Sequence, residues 1–251
     1  MTAQRLITIT AFALTCIFSS SAGRLPLVAQ GLMALDAIQR AHGSPAIAPI
    51  SVEITGVVER NGKTEPFRLV ATRDEELRIE YGALGKDFLV LSQLVNFRDD
   101  GQKVEFQNSP SGFAQLDITG VFFVQQLRNR AVRVETTPDR LTIADVPTQR
   151  LRVESERTQR QKGTVRVADQ VDLYVTDAGI LAGISRTFYD GRPERYTQAF
   201  TFSDYRKVNG ELLAFRIEVY INSQRLQTFL VHQYTFDVPA GRDLFRSRRV
   251  R

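Results

Sequence analysis

The segment Leu213–Ile221 constrains the fold of this chain most strongly, because its apolar residues fall at every odd position. A period of two places successive side chains on opposite faces of a β-sheet. The pattern therefore predicts a sheet with one apolar and one polar face, and similar patterning extends from Thr164 to Asp237. Few helical segments remain to cover the apolar face of the sheet. The main question about function is therefore what buries this face.

Residues 1–22 have the pattern of an export signal. Arg5 supplies a positive start, Leu6–Phe18 is apolar, and Ser20-Ser21-Ala22 predicts cleavage after Ala22. The apolar run is shorter than the roughly 20 residues that span a bilayer. A lipoprotein signal at Cys16 and an uncleaved anchor are the two alternatives. We expect a periplasmic protein exported across the inner membrane.

The rest of the chain predicts one domain, over residues 23–241, since no Pro/Gly/Ser-rich linker divides it. It contains no cysteine, so an exported form has to be stabilised by burial alone. The net charge of +5 comes largely from residues 242–251, where five arginines accompany one aspartate. We expect this basic tail to be a solvated terminus, with transient contact to an anionic membrane surface as the alternative.

Hydrophobic spacing predicts a helix from Leu27 to Gln39, ended by Gly43 and Pro45. A second helix is predicted within Phe113–Leu127. Period-two patterning and turn residues predict about eleven or twelve strands in an antiparallel meander. The predicted fold class is mainly β (α+β), with Ser203–Gly210 as a connection between strands. Such a large sheet closes into a barrel, folds into a sandwich or wraps around helices.

Residues for catalysis or metal binding are scarce. His42 and His232 are the only histidines, and neither has a second ligand at metal-binding spacing. Asp74-Glu75-Glu76 is best explained as a charged turn, and Asp99-Asp100-Gly101 lacks the downstream ligands of a calcium loop. We therefore predict a protein that is not an enzyme, with no cofactor, no metal site and no nucleic-acid partner.

Four features of the sequence resemble the outer-membrane lipoprotein carrier superfamily, the LolA/LolB-like proteins. They are an exported chain that begins with a helix before its first strand, the strand Leu77–Tyr81 after a polar turn, the strand and turn Val171–Asp177 with Gly179-Ile180, and the closing segment Tyr234–Gly241. Ser203–Gly210 is similar to the longer lipoprotein-sorting-protein-like branch. The resemblance covers most of the chain after the predicted signal.

This resemblance implies an unclosed, half-open β-barrel wrapped around a few helices, with an apolar cavity for acyl chains. Phe113–Leu127 would be the helical plug or lid, and Arg68 or Arg78 the arginine that holds it shut. The candidate residues of the cavity and lid are apolar or aromatic: Phe67, Leu69, Ile79, Tyr81, Phe88, Phe122, Phe123, Phe200, Phe202, Phe215, Ile217, Val219, Leu230 and Phe236.

The predicted function is that of a monomeric periplasmic carrier that binds lipid or the acyl chains of lipoproteins without catalysis. The 16 phenylalanines and absent tryptophan are compatible with an apolar cavity, which pattern alone favours over a fully packed core. One alternative is a sensor or interaction module of the same fold that binds a protein partner on its concave face. A packed structural sandwich is the other.

Overall fold

The computed structural model describes residues 27–43, 49–74, 76–82, 87–91, 97–98, 118–129, 131–160, 164–188 and 196–245. The predicted export signal, the loop at residues 99–101 and tail residues 246–251 lie outside this part of the chain. The predicted domain limits and the basic tail therefore remain expectations.

Twelve strands form one antiparallel sheet. Their bounds are β1 (Ser51–Arg60), β2 (Lys63–Thr72), β3 (Leu77–Tyr81), β4 (Asp87–Leu91), β5 (Phe97–Arg98), β6 (Ala131–Ile143), β7 (Val146–Arg160), β8 (Thr164–Val175), β9 (Leu181–Phe188), β10 (Tyr196–Val208), β11 (Glu211–Ile221) and β12 (Gln224–Phe236). The predicted mainly β class is confirmed.

The first strand of the chain, β1, lies in the middle of the sheet. Strand β1 pairs with β2 on one side and with β12 on the other, so the two halves of the chain meet there. The order is β5-β4-β3-β2-β1-β12-β11-β10-β9-β8-β7-β6. Because β5 and β6 stand at opposite ends of this order, the sheet is not closed among the described strands. This confirms the antiparallel meander and the unclosed barrel.

Tight turns join the central hairpins. Asn61 and Gly62 have φ angles of 50° and 71°, and Asn222 and Ser223 have 48° and 66°. Two successive residues of positive φ are the signature of a type I′ turn, which matches the twist of the flanking strands. The turn predicted at Asn61-Gly62 is confirmed.

The predicted connection Ser203–Gly210 is wrong, because β10 continues to Val208. Asp204 has a φ of 51°, and the register continues unshifted across it, since Ser203 pairs with Arg216 and Tyr205 pairs with Ala214. Aspartate is one of the residue types that tolerate a positive φ, so the strand can continue through this position. The polar sequence pattern of residues 203–210 does not reveal that strand pairing continues through them.

Within the described residues, two α-helices accompany the sheet. Helix α1 spans Leu27–Ala41, and the chain leaves it through Gly43 at a φ of 66°. Helix α2 spans Val121–Arg128, preceded by a 3-10 turn at residues 118–119 and by Gly120 at a φ of 58°. The positive φ of Gly120 sets the start of α2. The predicted helices are confirmed over these ranges, and residues 113–117 lie outside the described chain.

Both helices pack on one side of the sheet, which we call the inner face. Leu35 and Ile38 of α1 belong to the same buried cluster as Phe123 and Leu127 of α2 and the apolar strand residues. On β11 the inner-face residues are Leu213, Phe215, Ile217 and Val219. The polar residues between them lie on the outer face, where Arg216 and Tyr220 both donate hydrogen bonds to Glu218.

The segment after β12 covers part of the outer face. Asp237 accepts a hydrogen bond from the Ile50 amide at 2.7 Å, and the chain then runs to a 3-10 helix at Arg242–Phe245. There Phe245 is buried against Val70 of β2. This contact fixes the position at which the basic tail begins.

Gly31 allows α1 to approach β6, and its replacement by alanine should destabilise the protein. A Cβ at Gly31 would overlap the Cβ of Val134. We expect Gly31→Ala to lower the free energy of unfolding by about 1–3 kcal/mol, as overpacking does. The control is Ala37→Gly at an exposed position of α1, which should lower it by about 1 kcal/mol through helix propensity. Urea unfolding measures both, and a stabilised Gly31→Ala variant would contradict this packing.

Candidate functional site

Most of the predicted cavity residues lie together in one buried cluster on the inner face. Phe236 is half-buried and packs against the cluster from β12. The buried members are Phe67, Leu69, Ile79, Tyr81, Phe122, Phe123, Phe200, Phe202, Phe215, Ile217 and Val219. They come from five separate elements, so the sheet topology is what brings them together. A role in ligand binding remains a prediction for each of them.

Two of the predicted residues do not join this set. Leu230 of β12 pairs with Arg216 of β11, while the preceding Phe229 pairs with the inner-face residue Ile217. Alternation therefore places Leu230 on the outer face. The side chain of Phe88 lies outside the described part of the structure.

The two predicted latch arginines also lie on the outer face, away from α2. Arg68 forms an ion pair with Glu53 at 2.5 Å. Arg78 bonds to Glu80 at 2.6 Å and donates to the carbonyl of Leu244 at 2.9 Å, so it fastens the C-terminal segment. Each alternates with residues that point to the inner face, and this explains why neither guanidinium group is directed at the helix.

Helix α2 fills the middle of the inner face. Phe122 meets Phe236 of β12 edge to face, with ring centroids 5.7 Å apart. Phe123 is fully buried, and the Nε2 of Gln126 donates to the carbonyl of Thr72 at 3.3 Å. Helix α2 thus contacts strands that belong to both halves of the chain.

A buried arginine faces α2 from the sheet. Arg186 of β9 is 2 % exposed, and its guanidinium carbon lies 5.0 Å from the ring centroid of Phe123. Cation–π contacts of this kind contribute about 2 kcal/mol when desolvated. Sequence reasoning missed Arg186, although its position two residues after Ile184 is a signal, because it places a cation on the apolar face.

An ion pair joins the two helices. Arg128 at the end of α2 donates from both Nε and Nη2 to the carboxylate of Asp36 in α1, the second bond at 3.3 Å. The hydrogen bond to Asp36 raises the pKa of Arg128. A bidentate pair fixes orientation better than a single contact. The movements of α1 and α2 are therefore coupled.

His42 fastens the end of α1 to the sheet. Its Nδ1 lies 2.7 Å from the carbonyl oxygen of Leu212, and its Nε2 accepts the amide of Leu181 at 2.9 Å. The amide of Leu212 donates to the His42 carbonyl at 2.7 Å. These roles require a neutral ring with the proton on Nδ1. Burial lowers the pKa of His42, and the bond to Leu212 opposes this only in part.

Two narrow crevices flank α2. One, of about 10 Å³, lies between residues 118–122 and β10–β12 and reaches His42. The other, of about 20 Å³, lies between α2 and the ends of β1 and β2. Thr119 and Phe122 line both. Each of these two crevices has room for about one water molecule, and helix side chains lie between them on the described inner face. The apolar cavity favoured by the sequence remains a prediction.

A larger groove, of about 810 Å³, lies between the tips of the β1–β2 and β11–β12 hairpins. It is open to solvent, and two of its three cations are paired, Arg60 with Glu65 and Arg225 with Glu218. Its charges are therefore largely compensated. The groove has neither the apolar lining nor the enclosure that acyl chains require.

Within the described ranges, no three His, Cys, Asp or Glu residues are grouped so that they could hold a metal ion. Among the helices of those ranges, none combines the length and the hydrophobicity needed to cross a membrane. The arrangement around α2 offers an apolar surface, one buried cation and two helix attachments.

Comparison with known proteins identifies the fold. No family model and no curated protein matches the chain. A domain assigned as an outer membrane lipoprotein-sorting protein of Vibrio parahaemolyticus is similar in structure, with a TM-score of 0.52 and 9% identity, over 87% of this chain and 97% of that one. A DUF1329 family protein from Desulfovibrio piger has a TM-score of 0.51 and 9% identity, over 90% and 100%.

A LolA superfamily protein from Nitrosomonas europaea aligns with a TM-score of 0.46 and 11% identity, over 86% of this chain and 97% of its own. The two likenesses with TM-scores above 0.5 show that this chain has a LolA-like fold. The fold that the sequence resemblance implied is therefore confirmed.

The Asp36–Arg128 pair should contribute measurably to the attachment of α2. We expect a double-mutant cycle of Asp36→Asn and Arg128→Met to give a coupling energy of about 0.2–1 kcal/mol, the range of partly exposed pairs. The matched control is Arg140 with Asp177, whose side chains are 68% and 72% exposed. Urea unfolding of both cycles checks this, and equal coupling energies would contradict a special role for the helix pair.

Proposed function

We propose that this protein is a non-enzymatic periplasmic carrier that binds the acyl chains of a lipid or lipoprotein on the inner face of its sheet, where α2 now lies. The single observation that carries the proposal is the placement of α2. A short helix inserts Phe122 and Phe123 into an apolar sheet surface and is flanked by a crevice on either side. In this proposal α2 is a plug that an acyl chain displaces.

Few interactions hold α2 in place as the proposed plug. Helix α2 has eight residues, far fewer than the roughly 12–15 that an isolated helix needs to be stable in water. It contributes no strand to the sheet, so its displacement leaves the strand pairing intact. Displacement would remove apolar contacts, the Phe123–Arg186 contact, the hydrogen bond from Gln126 to the Thr72 carbonyl and the bond from Arg128 to Asp36.

A bound acyl chain would replace the apolar contacts of α2 with apolar contacts of its own. Burial of a methylene group stabilises by about 0.8 kcal/mol. Chains of sufficient length would therefore offset the exposure of Phe122, Phe123 and their neighbours, and short chains would not. The proposed carrier selects for apolar length because the inner face offers an extended apolar surface.

Periplasmic location and absence of catalysis are parts of the same proposal. They are supported by the export signal predicted at residues 1–22 and by the LolA-like fold. The chemistry of the site also agrees, because the side chains that face α2 from the sheet are mostly apolar, with the guanidinium of Arg186 among them. A protein segment bound on the same face is the alternative occupant, and the experiment below separates the two.

Lipid retention tests the proposal directly. We expect the protein, expressed with its export signal and purified without detergent, to retain lipid that solvent extraction and mass spectrometry identify. After delipidation it should bind a fluorescent long-chain acyl probe. A protein that carries no lipid and ignores the probe would contradict the proposal, and a stoichiometric co-purifying polypeptide would favour the protein-binding alternative.

The plug makes a quantitative prediction about the same probe. Loss of a helix pair worth about 0.5–1 kcal/mol raises the population with α2 displaced, and apparent affinity rises with it about two- to fivefold. We expect Arg128→Met to show this increase in a probe titration. Arg140→Met removes a solvent-exposed pair and should leave the affinity unchanged. Equal or weaker binding by Arg128→Met would show that α2 is not displaced.

The basic tail gives a second, separable expectation. A polybasic segment gains about 1 kcal/mol per basic residue near an anionic membrane. We expect replacement of Arg246, Arg248, Arg249 and Arg251 by glutamine to weaken binding to phosphatidylglycerol vesicles in sedimentation at low salt. Phosphatidylcholine vesicles are the control. Unchanged binding of the variant would remove the tail from membrane contact without affecting the proposed lipid site.

A further inference from the structure

We infer that His42 is an acid-sensitive fastening of α1, which holds the end of the helix on the sheet at neutral pH and releases it when the ring is protonated. The three hydrogen bonds between His42 and residues Leu181 and Leu212 are named here the His42 bridge. Two of them use the ring nitrogens. The inference concerns the attachment of α1 and extends beyond the proposed lipid binding.

The bridge depends on the charge state of the ring. Nε2 can accept the Leu181 amide only while it carries no proton. A proton on Nε2 would place two N–H groups against each other at the present 2.9 Å separation. The ring is 1 % exposed, so water cannot compensate the added charge without movement of the helix end.

The surroundings offer the protonated ring little stabilisation. From β10, Tyr205 meets the ring edge to face with centroids 5.4 Å apart, and from β12 Tyr234 lines the same crevice. Burial raises the pKa of both phenols, so they stay neutral. On β11 Glu211 precedes Leu212 and is buried, and on α1 Arg40 is exposed.

The direction of the pH effect follows from linkage. Burial lowers the pKa of His42 in the folded protein below the ordinary value of 6.5, so the detached state binds the proton first. The contribution of the bridge is complete above pH 6.5 and is lost as the pH falls below it. Acid therefore favours detachment of α1.

Release at His42 would reach α2 by two routes. The crevice that His42 lines is formed on its other side by residues 118–122, the start of α2. Farther along α1, Asp36 holds Arg128 at the end of α2. If α2 is the lipid plug, which rests on the proposed function, acidification would also ease its displacement.

The test can assign an acid response to His42, because the protein contains two histidines and the other one, His232, is exposed on β12. The experiment is amide hydrogen exchange by mass spectrometry at pH 7.5 and 5.5, expressed as protection factors. The variants are His42→Gln, which can still accept a bond but does not titrate, and the matched control His232→Gln. Glu211→Gln tests the neighbouring carboxyl group.

We expect protection of residues 35–43 to fall severalfold between pH 7.5 and 5.5 in the unmodified protein, up to the limit of about tenfold that an unfolded pKa of 6.5 sets. His232→Gln and Glu211→Gln should show the same fall, and His42→Gln should show none. A fall that persists in His42→Gln, or that is equal in the strands of the sheet, would overturn the inference.

If His42→Gln does not fold, NMR titration of the His42 ring tests the inference instead. The pKa of His42 should lie below 6.5, and α1 should lose protection as the pH falls below 6.5. A His42 pKa at or above 6.5 would overturn the inference. Exchange is measured without lipid, so an intact acid response with no acyl-probe binding would refute the proposed function and leave the His42 bridge standing.

Discussion

The structure depends on one requirement, that the apolar inner face of a twelve-strand sheet be removed from water. In the described part of the chain, two helices of 15 and 8 residues contribute to this, and neither has a core of its own. The dependence is mutual, because α2 is too short to be stable alone and the sheet would expose Phe200, Phe202 and their neighbours without it. Sheet and helices therefore form one cooperative core.

Polar groups at the edges of this core decide how the helices are held. His42 ties α1 to β9 and β11, and Asp36 ties it to Arg128 of α2. Arg186 meets the ring of Phe123 beneath α2. Buried polar groups add little net stability but impose geometry, since each must keep its partners. They hold the helices in one position and make that position sensitive to charge.

Much of the fold could be predicted from the sequence because its signals are local. Alternation identified β11 with its buried and polar faces, and Asn61-Gly62 identified a hairpin. The continuation of β10 through Asp204 was missed because the polar residues after Phe202 look the same as the end of a strand. The pairing of β1 with β12 joins residues 187 positions apart in sequence at Ile50 and Asp237, and no local pattern reports such a distance.

The site was predictable in composition and not in detail. Buried aromatic residues such as Phe67 and Phe215 were found because any apolar strand face contributes to a core. Arg68 and Arg78 were chosen because the family resemblance implies an arginine that holds the lid shut. Alternation places both side chains on the outer face. The cations that contact or extend from α2 are Arg128 and Arg186, which become neighbours of the helix only through the packing of α1 and β9.

Among the described residues, the inner face of this sheet is covered by helices and not by a second sheet. This difference favours the reversible binding that we propose. In a sandwich the inner face is covered by a second sheet, whose removal breaks ladders of backbone hydrogen bonds. Here α2 covers it with side chains alone, and its own backbone bonds move with it. In the proposed carrier, displacement would exchange one set of apolar contacts for another, at the cost of the Arg128, Arg186 and Gln126 contacts. A long acyl chain would supply apolar contacts of the same kind, and α2 would then be the replaceable part of the core.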